Sequence, residues 1–336
     1  SSLVGQVCSY NTVADETDFQ SRIVFMKIVF MGSPEFSVPS LEALVEARFN
    51  VSLVVTQPDR QKGRGQKVVE TPVKTYARQV KVPVIEWGRD NKRQVVQHVL
   101  DEKPDAIVVV AFGHILRREL LDAPKYGCIN VHASLLPRWR GVSPVHYSIL
   151  HGDNWTGVTI MKMDAGVDTG PMLSQHSVAI DPEETSGDLL TRLAGVGADK
   201  LVMTLRDLEN EKIEAEAQGQ VGAVYAPKLN RSLSPIRWGR EVVYVHNQIR
   251  GLQPWPGATT FLNGKQLKII SARPYSFDTQ DVQPGTVIAA DENGIRVGCG
   301  EGVLLITVLQ NPGKRPMTAA EYLRGYKVEP GTLLTS

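Results

Sequence analysis

Met26-Lys27-Ile28-Val29-Phe30-Met31-Gly32-Ser33-Pro34-Glu35-Phe36 opens the stretch whose reading decides the fold. Met26 to Met31 is short and, Lys27 apart, apolar, and reads as a buried strand. Gly32-Ser33-Pro34 breaks it, and Pro39 suits an early helical turn. Leu41, Leu44 and Val45 give that helix one apolar stripe, and Val51 to Val55 is the next strand. Strand, helix and strand within about thirty residues form a βαβ unit. The expectation is an α/β, doubly wound, Rossmann-like domain. A dinucleotide in such a fold requires three spaced glycines, and Gly32 stands alone, which speaks against a nicotinamide-dependent oxidoreductase.

Upstream, residues 1–25 carry Asp15, Glu16 and Asp18 with Arg22 near the end. They lack the cationic start and apolar run of a signal peptide, and their acidity disfavours a transit peptide. We read them as an extension without function. Downstream, Thr56-Gln57-Pro58-Asp59 leads into Arg60-Gln61-Lys62-Gly63-Arg64-Gly65-Gln66-Lys67. The four cations and two glycines predict a mobile basic loop. It is either a solvated surface loop or a clamp for phosphodiester through Arg60, Lys62, Arg64 and Lys67.

Residues 73–79 read as a helix, 82–85 as a strand, and 95–100 as part of another helix. Ala106 to Val110, the most apolar run, predicts a central parallel strand ending in Ala111-Phe112-Gly113-His114-Ile115-Leu116. His114 taken alone reads as a structural histidine. The next strand, Cys128-Ile129-Asn130-Val131-His132, sends Asn130 and His132 to one face and Ile129 and Val131 to the other. It breaks at Ala133-Ser134-Leu135-Leu136-Pro137-Arg138-Trp139-Arg140-Gly141, where Pro137 cannot extend a ladder. Two polar side chains before an irregular loop suit a ligand site of an open α/β sheet, or equally a satisfied pair capping the loop. After a strand at 157–163 comes Asp164-Ala165-Gly166-Val167-Asp168-Thr169-Gly170, whose aspartates by themselves read as turn chemistry. A strand at 173–180 and a helix at 187–208 close the first domain.

The remaining chain differs in composition. Residues 209–227 are a polar connection, and a helix at 238–249 precedes five short strands separated by Asn263-Gly264 and Asn293-Gly294 turns. They predict a small β-barrel, a class that includes the oligonucleotide-binding (OB) fold. Residues 228–336 hold 13 Lys/Arg against 8 Asp/Glu, whereas residues 1–227 hold 24 against 28. A basic module joined to a mildly acidic one suits a polyanionic partner. Length and composition agree with two domains: 336 residues, 42% hydrophobic and 22% charged. Cys8, Cys128 and Cys299 are too scattered for a disulfide framework or metal spacing, which suggests a reducing compartment. No apolar run nears the roughly 20 residues of a membrane helix.

Together, Ile129 to Gly141 and Asp164 to Gly170 resemble the two signatures of the folate-dependent formyltransferases: Asn-x-His, Ser-Leu-Leu-Pro and a downstream Asp-Thr-Gly. The resemblance covers about Met26 to Leu334. It implies a catalytic domain at 26–208, a linker at 209–227 and an OB-like tRNA-binding domain at 228–336. It also implies a formyl donor, 10-formyltetrahydrofolate, with no metal. Asn130, His132 and Asp168 would be catalytic: Asn130 and His132 as donors to the developing oxyanion, and Asp168 orienting His132. Phe112, Gly113, His114, Ile115, Leu116, Ser134, Leu135, Leu136, Pro137 and Asp164 would enclose the donor. Members differ in acceptor. The basic loop and Asn311-Pro312-Gly313-Lys314-Arg315-Pro316-Met317 resemble the branch that formylates initiator methionyl-tRNA, with Arg60, Lys62, Arg64, Lys67, Lys314 and Arg315 on the nucleic acid. That branch implies a monomer in the bacterial cytoplasm. The alternatives are an amino-sugar formyltransferase, which shares the triad, and a non-catalytic tRNA-binding protein, which shares the basic barrel.

Overall fold

The computed structural model describes residues 26–62, 67–278 and 280–336. The extension at 1–25 and Arg64 therefore lie outside the described residues. Strands β1 (Lys27–Gly32) and β2 (Asn50–Thr56) come first, then a short hairpin of β3 (Arg60–Lys62) and β4 (Lys67–Val69). They are followed by β5 (Val84–Glu86), β6 (Ala106–Val110), β7 (Cys128–His132), β8 (Arg140–Gly141), β9 (Trp155–Lys162) and β10 (Met172–Ala179). Between them run α1 (Val38–Glu46), α2 (Pro72–Gln79), α3 (Lys92–Asp101), α4 (Arg118–Leu121) and α5 (Pro144–Leu150); α6 (Ser186–Glu209) comes after β10.

Seven of these strands form one sheet in the order β10-β9-β7-β6-β1-β2-β5. The five from β7 to β5 are parallel; β9 runs antiparallel to β7, and β10 antiparallel to β9. Strand β6 lies in the middle and is buried at every residue, which is why its sequence is uniformly apolar. Alternate residues serve opposite faces. Phe30, Val108, Ile129 and Val131 pack on one face with Leu41 and Leu44 of α1 and Leu189, Leu193 and Leu201 of α6. Met31, Val109 and Cys128 pack on the other with Val95 and Val99 of α3. Strand order reverses between β1 and β6, the switch point at which such sheets open a crevice. Gly32 is needed there, because a Cβ would lie 2.9 Å from the Val110 carbonyl oxygen.

The connection after α6 is more structured than its polarity suggests. Glu216 exchanges backbone hydrogen bonds with Met172, and β11 (Tyr225–Ala226) pairs in parallel with β8. Beyond it stand α7 (Val242–Gly251), β12 (Ala258–Leu262), β13 (Lys265–Ser276), β14 (Val287–Asp291), β15 (Gly294–Gly298) and β16 (Val303–Gln310). Strand β17 (Met317–Thr318), α8 (Ala319–Gly325) and β18 (Leu334–Thr335) complete them. The antiparallel sheet runs β14-β15-β16-β13-β12-β18. Its outer strands approach each other through the 332–334 segment: Val287 N–H donates to Thr332 O and Leu334 N–H to Gly285 O, both at 2.8 Å. This sheet and α7 enclose a second core around Trp238, Ile269, Leu304 and Ile306. The Asn263-Gly264 turn has φ of 49° and 75°, the doubly positive pair of a tight hairpin.

The two cores are joined by polar contacts. Arg250 of α7, 8% exposed, donates to the carbonyls of Asp181 and Glu184 at 3.1 and 3.0 Å, and Ser186 Oγ donates to Gly251 O at 2.7 Å.

Candidate active site

Strand alternation places the Asn130 and His132 side chains on the same face of β7, as their spacing predicts. The loop between β9 and β10 folds over that face and delivers Asp168. Asn130 Nδ2 lies 3.4 Å from Asp168 Oδ1, and His132 Nδ1 lies 3.7 Å from Asp168 Oδ2. Asp168 Oδ2 also accepts the Gly141 N–H at 2.7 Å. The three residues thus converge with a backbone donor from the loop after β7. Asp168 holds a left-handed backbone, φ 51°, a conformation Asp adopts more readily than most residues.

The family resemblance implies that Asp168 orients the imidazole; in the structure Trp139 holds the ring from its other nitrogen. His132 is 6% exposed, and its Nε2 lies 2.9 Å from the Trp139 carbonyl oxygen. A carbonyl only accepts, so Nε2 carries the hydrogen and, in the neutral ring, Nδ1 keeps the lone pair facing Asp168. Trp139 is itself fixed: its indole N–H donates to Asp153 Oδ2 at 2.6 Å, and the Arg138 guanidinium lies 4.4 Å over its ring.

The two aspartates divide their work. Asp164 closes its own loop, accepting from Gly166 N–H at 2.9 Å and Thr169 Oγ at 2.7 Å. That is the turn chemistry its sequence suggests. It is exposed and stands apart from the hydrogen bonds joining Asn130, Asp168 and Gly141.

The Ser134 to Pro137 turn is bolted to the sheet. Thr159 Oγ1 of β9 donates to Ser134 O at 2.7 Å and accepts from Leu136 N–H at 3.1 Å, while Gln175 of β10 donates to Leu136 O at 2.8 Å. Ser134 Oγ turns inward to Arg138 O at 2.7 Å. Leu136 is buried, whereas Leu135 and Pro137 are half-buried.

Of the 112–116 loop, Phe112 and Leu116 belong to the core, Gly113 is exposed, and Ile115 is 84% exposed. His114 is half-buried, stacked 5.8 Å from Trp87, with Nε2 buried and unpartnered among the described residues. Burial, then Lys92 and Arg60, pushes its pKa down. Gln57, at the end of β2, donates to Phe112 O at 2.8 Å and ties this loop to the start of the basic hairpin.

Arg60 is exposed and bonded to Gln57 Oε1. Lys62 and Lys67 lie in paired strands rather than a free loop. Lys314 is exposed, and Arg315 is exposed with an ion pair to Glu321 at 3.4 Å. The basic hairpin and the Lys314–Arg315 turn are distinct from the Asp168 cluster.

Four residues with no assigned role in the sequence hold this site together: Thr159 and Gln175 fix the Ser134–Pro137 turn, and Arg140 through Gln218 fixes the Asp168 peptide. Thr159 is a hydroxyl that β9 shares with Thr156, so strand pattern alone does not single it out; Arg140 lies inside the signature. Gln175 and Gln218 give no local signal. Among the described residues no cluster of His, Cys, Asp and Glu side chains is placed to hold a metal, and no helix is long and apolar enough to cross a membrane.

Comparison with known proteins identifies the family. Residues 26–205 match the formyl transferase family and residues 228–327 its C-terminal domain. The methionyl-tRNA formyltransferase of Geotalea uraniireducens (strain Rf4) is 46% identical over 311 residues, covering 92% of this chain and 98% of that protein. That of Geobacter sulfurreducens is 45% identical over 309 residues, covering 92% and 96%. Solved folds are similar at lower identity. WlaRD, described as a sugar 3N-formyl transferase, superposes with a TM-score of 0.64 at 21% identity, covering 87% of this chain and 99% of that one. HypX from Aquifex aeolicus, in complex with tetrahydrofolic acid, superposes with a TM-score of 0.59 at 18% identity, covering 91% and 49%. With both family regions matched in order and nearly full-length relatives above 40% identity, this chain belongs to the methionyl-tRNA formyltransferase family.

Proposed function

We propose that Asn130, His132 and Asp168 form the catalytic centre of a formyl transfer from 10-formyltetrahydrofolate to the α-amino group of initiator methionyl-tRNA. The observation that carries this reading is the convergence of Asn130 and His132 on the Asp168 carboxylate, which the Gly141 N–H holds. When bound, the donor supplies an activated formyl group. Asn130 Nδ2 offers a second N–H besides the one facing Asp168, and that hydrogen can meet the formyl oxygen as it gains negative charge. Such a donor is worth about 3 kcal/mol in comparable sites. His132 Nδ1 takes the proton leaving the attacking amine and holds it until the leaving nitrogen accepts it. Asp168 Oδ2 stabilises the imidazolium in between.

The chain's surfaces suit the donor. Ile115 is exposed next to the half-buried His114 in sequence, apolar area that fits a flat heteroaromatic ring. Gly113 is exposed and Leu135 and Pro137 are half-buried, which leaves them open to the donor. Arg60, Lys62, Arg64 and Lys67 would hold the acceptor end, and Lys314 and Arg315 the stem. On this reading 26–208 is the catalytic unit and 228–336 an OB-like tRNA-binding unit, in a cytoplasmic monomer.

The experiment is formylation of charged initiator tRNA with 10-formyltetrahydrofolate, run beside a nucleotide-linked amino sugar as the competing acceptor. Transfer to tRNA alone supports the reading. Transfer to the sugar alone moves the chain to the other branch, and binding of tRNA without transfer leaves a binding protein.

A further inference from the structure

Asp168 is held from behind by the connection between the two cores, in a position that the catalytic geometry does not explain. Gln218 Nε2 donates to Asp168 O at 2.9 Å and to Gly170 O at 2.7 Å. Its Oε1 in turn accepts two hydrogen bonds from Arg140, from Nε at 3.1 Å and from a terminal nitrogen at 2.9 Å. Arg140 is 2% exposed, so its charge is bound in place by amide and peptide oxygens, including Gly219 O at 3.5 Å. Arg140 immediately precedes Gly141, whose N–H holds the Asp168 carboxylate.

The two ends of Asp168 are therefore governed by one assembly. Its peptide is clamped through Gln218, and its carboxylate through Gly141. Both attachments are fixed by the β8–β11 pairing: Arg140 N–H donates to Val224 O and Val142 N–H to Ala226 O, each at 2.9 Å. Gly141 has φ 107°, and a Cβ there would lie 2.7 Å from Ala226 O, so the two backbones meet as closely as glycine permits. A left-handed aspartate carries a backbone penalty that neighbours must offset. The Gln218 amide, bridging two carbonyls on either side of Thr169, opposes relaxation of that turn.

We infer that Gln218, anchored by Arg140, is a positioning residue for the transfer reaction, setting where Asp168 faces Asn130 and His132. The inference rests on the catalytic roles proposed above. It assigns the connecting segment a part in chemistry rather than in joining domains. Removing the amide leaves substrate surfaces intact but lets Asp168 drift, and a displacement near 1 Å at a reacting group can cost up to about 100-fold.

The test uses the full chain with charged tRNA and 10-formyltetrahydrofolate. Gln218→Ala is expected to lower kcat by about tenfold or more, with KM for each substrate changed by less than about twofold. Gln218→Glu retains the pairing with Arg140 but replaces the donor amide by an acceptor. It should lose at least as much kcat, and it serves where Gln218→Ala does not fold. The deciding measurement is a double-mutant cycle: in an Asp168→Asn background, Gln218→Ala should have almost no further effect on kcat. A full, additive loss in that background would make Gln218 merely structural and overturn the inference, as would wild-type kcat in both Gln218 variants. Wild-type kcat in Asp168→Asn alone would instead overturn the catalytic assignment on which it rests.

Discussion

One hydrogen bond decides how the central histidine can work. Because the Trp139 carbonyl holds His132 Nε2–H, the proposed reaction must pass its proton through Nδ1, on the side of Asp168. His132→Ala and Asp168→Asn should each lower kcat by about 100-fold or more, and their combination should cost little beyond either alone. Rapid-quench formylation measures the loss, and equilibrium folate binding should stay near wild type; retained turnover in either variant sinks the assignment. A second histidine reports on stability instead. Burial, then Arg250, depresses His246 from its ordinary 6.5 to about 4, with Glu183 3.8 Å away providing only an exposed counter-charge. The folded form thus favours the neutral ring, and the unfolded chain binds more protons between these values. Its contribution is present above about pH 6.5 and is lost as pH falls towards 4. Thermal melts from pH 7 to pH 5 should show a falling Tm, and His246→Gln should flatten that dependence. An unchanged slope would locate the acid sensitivity elsewhere. At this scale the sequence distinguished poorly between Asp164 and Asp168: both sit in a glycine-rich turn, and only the fold of the loop over β7 separates a turn-closing carboxylate from one that meets Asn130 and His132.

At the scale of elements, Thr159 shows how a strand shapes a loop it does not belong to. Its hydroxyl satisfies both Ser134 O and Leu136 N–H, groups that would otherwise be buried without partners. Thr159→Val should release the turn and cost about 2 kcal/mol from those two bonds. Steady-state kinetics should then show a larger rise in KM for the folate than for tRNA; equal rises would mean a general loss of fold. Elements governed by local pattern were legible. The period-two alternation around Asn130 and the uniform run of β6 both match the strands that form there. Those that depend on a distant partner were not. Strands β8 and β11 have two residues each, too few for any period, and exist because Arg140 and Tyr225 meet across the chain. The β3–β4 hairpin was hidden for a related reason: four cations and two glycines read as a loop, although Arg60 pairs with Val69.

For the whole molecule, the uneven charge matters most. The excess of Lys/Arg in 228–336 suits a partner much larger than the folate, and Lys314 and Arg315 are exposed on that half. Replacing both by Ala should raise KM for tRNA with little change in kcat, and should reduce the slope of log KM against log salt by roughly 1 to 2. Measuring KM at several salt concentrations tests this; an unaltered slope removes both residues from the phosphate backbone. The β8–β11 ladder has a different consequence, for recombination between relatives. The end of α6 at Glu209 looks like the natural seam between a catalytic half and an RNA-binding half. Yet Glu216, Gln218 and Tyr225–Ala226 fold back onto the first half. A chimaera joined at Glu209 would bring in foreign residues at those contacts, whereas a crossover just after Ala226 would leave parental pairs together. The inheritable unit of this catalyst is therefore longer than the sheet that carries it.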